Sequence, residues 1–201
     1  EIEIDAGAKG ASEISGTLNS NSETEKGGNI EVTAKEIDIN AATISADGKT
    51  GGGEILLGGD WQGSGSLLQA TFLSIDNGSK ISADALQSGS GGKIVAWTNI
   101  KDLNSNTIVN GILTAKGIDG AGGLIETSGA SINTDGIRVN AGSTSGPSGL
   151  WLIDPYDYTI NSSAATNITN ALNAGTNVTI QTSANSSSFG SGGSSSGNGD
   201  I

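Results

Sequence analysis

The sequence predicts an all-β fold, a right-handed parallel β-helix of about seven to eight coils, each of roughly 25 residues and three short strands. Three observations predict it: short strings of alternating β-branched residues, glycine pairs at near-regular intervals, and a composition too poor in bulky side chains for a wide core. The strings are IEID at 2–5, NIEVTA at 29–34, EIDINA at 36–41, GEILLG at 53–58, KIVAWT at 93–98, GIRVNA at 136–141 and NVTIQT at 177–182. Each alternates with the two-residue period of a half-buried strand. In the coil that opens at Gly28, strands are expected at 30–34, 36–40 and 42–46. One stretch departs from this pattern: AATNITNALNA at 164–174 is a marginal helix candidate, with Ile168 and Leu172 on one face.

The glycine pairs Gly27–Gly28, Gly52–Gly53, Gly91–Gly92 and Gly122–Gly123 each precede an apolar strand, and Gly149, Gly175 and Gly199 open comparable segments. Successive anchors lie about 25, 39, 31, 26, 26 and 24 residues apart, a repeat enlarged by insertions in its second and third units. Stacking strands about 4.8 Å apart leaves corners that need a positive φ or a close backbone approach. That assigns structural roles to Gly28, Gly53, Gly92 and Gly123. Insert loops are expected near 58–70 and at the Gly/Ser tract 183–199. The chain starts inside an alternating string and stops at GNGDI, where another strand is due. Residues 1–201 therefore read as a single β-helix segment of a longer protein.

Composition narrows the chemistry. Aromatic residues make up 3% of the chain against 34% apolar in all, so the core has to be narrow and built from aliphatic layers. Histidine, cysteine and methionine are absent, which removes an imidazole base, a thiol nucleophile, thiolate zinc ligands and disulfides. A net charge of -12 with nine Lys and Arg argues against a nucleic-acid partner. No apolar run approaches the roughly 20 residues that cross a bilayer, so membrane insertion is not expected. The N-terminal residues lack the basic and apolar regions of a signal peptide. N-x-S/T sequons start at Asn77, Asn161, Asn167, Asn177 and Asn185, about as many as this Asn-, Ser- and Thr-rich composition yields by chance.

Four blocks occur in order: GGGEILLGGDWQGSG at 51–65, GSKISADALQSGSGGKIVAWTN at 78–99, GILTAKGIDGAGGLIETSG at 111–129 and AGSTSGPSGLWLIDPYDYTI at 141–160. Spanning about half of the chain, they resemble filamentous-haemagglutinin-like exoproteins of the two-partner secretion type, with IETSG and WLIDP the most distinctive. The resemblance implies a β-helical shaft segment of an extracellular or cell-surface bacterial protein. It further implies an outer-membrane transporter as partner of the full-length protein, and a role in adhesion, aggregation or contact-dependent toxicity.

WLIDPYDYTI at 151–160 concentrates the side chains most able to recognise a ligand, and it has three readings. As structure, Trp151 fills a core layer and Pro155 turns the chain. As a sugar platform, Tyr156 and Tyr158 offer ring faces while Asp154 and Asp157 hold hydroxyls. As a calcium site, the two aspartates would supply oxygens, but calcium wants six to eight. The structural reading is favoured, no metal or cofactor is expected, and Trp61, Tyr156, Asp157 and Tyr158 remain the ligand-binding candidates. Their partner would be a host or bacterial surface glycan or receptor. Catalysis is not expected. A polysaccharide-cleaving site needs carboxylates in register, here Asp60, Asp154 and Asp157, or a base near acidic ligands, and the single arginine, Arg138, has only Asp135 nearby in sequence. Ser128 lacks a nucleophile-elbow context, and no histidine exists to activate it.

Overall fold

Each alternating string forms a strand, and the strands return in threes. The computed structural model describes residues 1–182 and Ile201 of the chain; the insertion expected at 183–199 lies outside the described residues. The first coil runs through β1 (Ile2–Asp5), β2 (Ala11–Ile14) and β3 (Thr17–Asn19), and the second through β4 (Asn29–Thr33), β5 (Glu36–Ile39) and β6 (Thr43–Ser45). The third holds β7 (Glu54–Leu57), β8 (Phe72–Ile75) and β9 (Lys80–Ser82), and the fourth β10 (Lys93–Trp97), β11 (Asn106–Val109) and β12 (Ile112–Thr114). The fifth holds β13 (Leu124–Ser128), β14 (Ser131–Asn133) and β15 (Arg138–Asn140). The sixth opens with β16 (Leu150–Asp154), then forms helix α1 (Ser162–Asn173), and β17 (Asn177–Ile180) begins the next coil.

First, second and third strands stack on their equivalents in three parallel sheets, A, B and C, of seven, five and five strands. The fold is a parallel β-solenoid, as the sequence predicts, with about six turns described rather than seven or eight. The count is lower because α1 occupies the stretch where the sixth coil would place two strands, and because 183–199 is not described.

Register explains why alternation was sufficient to build the core. On the inner face of sheet A, Ile2, Ile30, Ile55, Ile94, Ile125, Trp151 and Val178 stand directly above one another. Sheet C contributes Leu18, Ile44, Ile81, Leu113 and Val139, and sheet B contributes Ile14, Ile39, Ile75 and Val109. Burying each such side chain stabilises the fold by about 1.5–3 kcal/mol. Trp151 is fully buried in its column, and its indole N–H donates to Thr127 Oγ1 at 3.1 Å.

At the corner between sheets C and A, the second glycine of each pair sits on the one below. A Cβ at Gly53 would fall on the carbonyl oxygen of Gly28, and one at Gly92 on that of Gly53. Neither has a positive φ, so close backbone approach, and not left-handed conformation, is what excludes a side chain there. Just before this corner a second ladder runs along the axis. Asn21 Oδ1 accepts from the Asp47 N–H, Asp47 Oδ1 from the Asp84 N–H, and Asp84 Oδ1 from the Lys116 N–H, each at 2.7 Å.

The helix forms, but not on the predicted face. Asn161 caps it by accepting from the Ala164 N–H at 2.9 Å, and it ends at Gly175, whose φ of 77° lets the Thr176 N–H reach the Ala171 carbonyl at 3.0 Å. Its buried face is Ala164, Asn167 and Ala171, while Ile168 is half-buried and Leu172 is exposed. The reason is what lies beneath. Small residues let the helix settle against β15 and β17, and Asn167 Nδ2 donates to the Thr134 carbonyl at 2.7 Å beyond the end of β14.

Candidate functional site

Alternate residues of sheet A point outward, and in the middle coils their face is not left to solvent. One register column reads Glu3, Glu31, Leu56, Val95, Glu126, Leu152 and Thr179; the next carries Trp97, Ser128 and Asp154. The chain leaves β7 at Gly58 and returns at Ala70, whose N–H donates to the Gly58 carbonyl at 2.8 Å. Between these points the insert folds back over β10 and β13. Leu56, Val95, Trp97, Ile100 and Tyr156 form a second buried cluster here, with Trp61 and Leu67 packed against it.

The backbone of the insert lies flat on the Trp97 indole: a Cβ at Gly59 or Gly63 would collide with the ring. Asp60 Oδ1 accepts from the Trp61 N–H at 2.6 Å and pairs with Lys93 Nζ at 3.5 Å, and Lys93 also pairs with Glu54. Beneath the insert lies Glu126, with none of its surface exposed. Its Oε2 accepts from the Gln62 N–H at 2.8 Å and its Oε1 from the Ser128 hydroxyl at 2.7 Å. Burial pushes its carboxyl up to about 7, against the opposing pull of those two hydrogen bonds, with Asp154 and Asp60 adding to the rise. Glu31 is also raised, first by partial burial and then by Glu1, Glu3, Glu54 and Asp60.

The tyrosine segment adjoins this region. After β16, Pro155 is buried, Tyr156 packs into the outer cluster, and Tyr158 packs against the inner core with its hydroxyl 3.2 Å from Thr134 Oγ1. Asp157 is exposed. A groove of about 480 Å³ runs beside the upper edge of β14, lined by Ser131, Asn133, Asp135, Asp157, Tyr158 and Thr159 among others.

Of the four ligand candidates, the structure brings Trp61 and Tyr156 to one apolar cluster, places Asp157 and Tyr158 on the groove, and leaves neither tyrosine ring open. Tyr156 is 6% exposed and Tyr158 8%. The imagined carboxylate group of Asp60, Asp154 and Asp157 is not assembled among the described residues, although Asp154 and Asp60 both raise the Glu126 carboxyl. No group of three acidic side chains suited to a metal ion occurs among the described residues. Arg138 donates to the Asn77 carbonyl at 3.2 Å.

Sequence reasoning missed Glu126 and the aspartate ladder. In IETSG, Glu126 alternates outward and reads as solvated; the backbone that covers it comes from Gln62, remote in sequence. The ladder had a visible signal, since SAD recurs at 45–47 and 82–84 with TAK at 114–116. Compared with protein families and with characterised proteins, the chain matches no family model and no individual sequence.

Proposed function

We propose that this chain is a non-enzymatic structural shaft within a secreted or cell-surface bacterial exoprotein of the filamentous-haemagglutinin-like, two-partner-secretion kind, serving adhesion, aggregation or biofilm formation. One observation carries the reading: the inner Ile column of sheet A and the Asn21–Asp47–Asp84 ladder both run along the axis through successive coils. Chemistry that could have been a site is spent on stacking. In this setting the full-length protein reaches the surface through an outer-membrane transporter, and the order of the four sequence blocks supports that assignment.

The reading is tested by deleting one coil in register. Removing residues 28–52 joins Gly27 to Gly53 and preserves both the corner and the insert. The exoprotein is expected to reach the surface and to keep its adhesive or aggregating behaviour. Adhesion lost from a folded, exported variant would move the activity into this segment and reject the shaft.

The second reading is a carbohydrate-binding surface, favoured by the groove with Asp157, Tyr158 and Asn133 on its walls. A glycan array separates the two readings. A saccharide bound by the wild type and lost in Asp157→Ala or Tyr156→Ala supports recognition, and no binding supports the shaft. Polysaccharide cleavage has the least support, because Glu126 is sealed beneath the insert.

A further inference from the structure

The insert is held down against three unfavourable features. Gln62, which is not a glycine, adopts a left-handed φ of 53°, and its N–H is the one that reaches Glu126. Glu126 is fully buried, and its hydrogen-bond partners, Gln62 and Ser128, are uncharged. Trp97 Nε1 is buried without a hydrogen-bond partner among the described residues. Opposing these are the apolar contacts of Trp61 and Leu67 and the Asp60–Lys93 pair, which at about 29% exposure is a modest tie. At its start, Gly58 and Gly59 have φ of 80° and 153°, a natural pivot.

We propose that the insert spanning 58–70 is a hinged lid latched by Glu126: it stays closed over Trp97, Leu56 and Val95 while that carboxyl is neutral, and swings off when it ionises. Ionisation would strengthen the bonds that the Gln62 N–H and the Ser128 hydroxyl donate to the carboxyl, but burial outweighs both and favours the neutral acid. The anion lies among like charges. Asp154 on β16 and Asp60 on the insert both act on it to raise the carboxyl, and the nearby cation, Lys93, is already engaged by Glu54 and Asp60. Asp154, itself fully buried on β16, accepts from Gln181 Nε2 at 2.9 Å, and Tyr156 belongs to the same outer cluster.

The direction follows from proton binding. The closed lid holds the Glu126 proton up to about pH 7, whereas an open, hydrated carboxyl releases it near its ordinary value of 4.5. Closure is thus fully favoured below the ordinary value, and that advantage is lost as pH rises through about 7, a change on the order of a hundredfold in the opening constant.

Acrylamide quenching of tryptophan fluorescence, followed from about pH 5 to about pH 9 with far-UV circular dichroism alongside, tests the lid. The wild type is expected to gain quenching around neutral pH while its strand signal stays constant. Glu126→Gln, which keeps an acceptor for the Gln62 N–H without a charge, is expected to remain protected throughout. Gln62→Gly, which removes the left-handed penalty but keeps the N–H, should lower quenching at every pH, and it serves if the first variant folds poorly. A wild type that is flat across the range, a Glu126→Gln protein that titrates like the wild type, or a strand signal that collapses in step with the quenching would each overturn the proposal.

Discussion

The inner and outer faces of sheet A are made from alternate residues of the same strands, yet they are held by different physics. Inside, Ile30, Ile55, Ile94 and Ile125 form one uninterrupted column, continued by Ile2 below and Trp151 above. Outside, the matching column passes from Glu31 through Leu56 and Val95 to Glu126, and it is buried from Leu56 onward but only partly covered at Glu31. The inner face is a consequence of period, repeated coil by coil. The outer face depends on one insert landing on two other coils. It follows that the outer face can fail while the rod persists, whereas failure of the inner face takes the rod with it.

Breaking the inner face should have the largest effect. Ile94→Asp places a carboxylate between Ile55 and Ile125 with no partner in reach, at about 5 kcal/mol. Urea denaturation followed by far-UV circular dichroism should show loss of the cooperative strand transition; a stable, cooperative variant would mean that the column does not hold the solenoid together. Gly92→Ala comes next. Its methyl would occupy the space of the Gly53 carbonyl oxygen, forcing adjacent coils apart at about 3 kcal/mol, read as a lower urea midpoint.

On the outer face, Trp97→Ala sharpens the contrast. Truncating a buried aromatic ordinarily costs about 3–5 kcal/mol. Here the variant also removes an indole donor with no partner, whose burial is itself unfavourable by about 1–3 kcal/mol. A net loss of about 2 kcal/mol is expected, confined to the insert. Limited proteolysis should cut faster within 58–70 while the strand signal is unchanged. Equal loss of both would erase the distinction between the faces.

How much of this was legible followed the same division. Whatever rests on local period was readable: the strings at 2–5, 29–34 and 93–98 became strands, and Ile94 and Ile125 face inward. Gly53 and Gly92 were readable as corners, though close approach alone proved to be the reason. Helix α1 was visible only faintly, because the expected Ile168 and Leu172 stripe is not its buried face; the stronger signals were Asn161 before it and Gly175 after it. Glu126, and the meeting of Trp61 with Tyr156, were not readable. Both depend on where an insert comes to rest, and no local pattern encodes that.

The sixth coil tests whether a helix can replace two strands without weakening its neighbours. Asn161→Ala removes the acceptor for the Ala164 N–H and should cost about 1 kcal/mol, the smallest of these effects. Fraying from that end would loosen Asn167 from the Thr134 carbonyl and uncover the upper edge of β15, while β16 and β17 remain paired through the register from Leu150 to Ile153. Hydrogen exchange should therefore rise about fivefold within 162–173 and stay unchanged in β16. If β16 exchanged faster too, the helix would be part of the cooperative rod. If neither changed, packing of Ala164 and Ala171 alone would hold the helix, and the cap would be incidental to it.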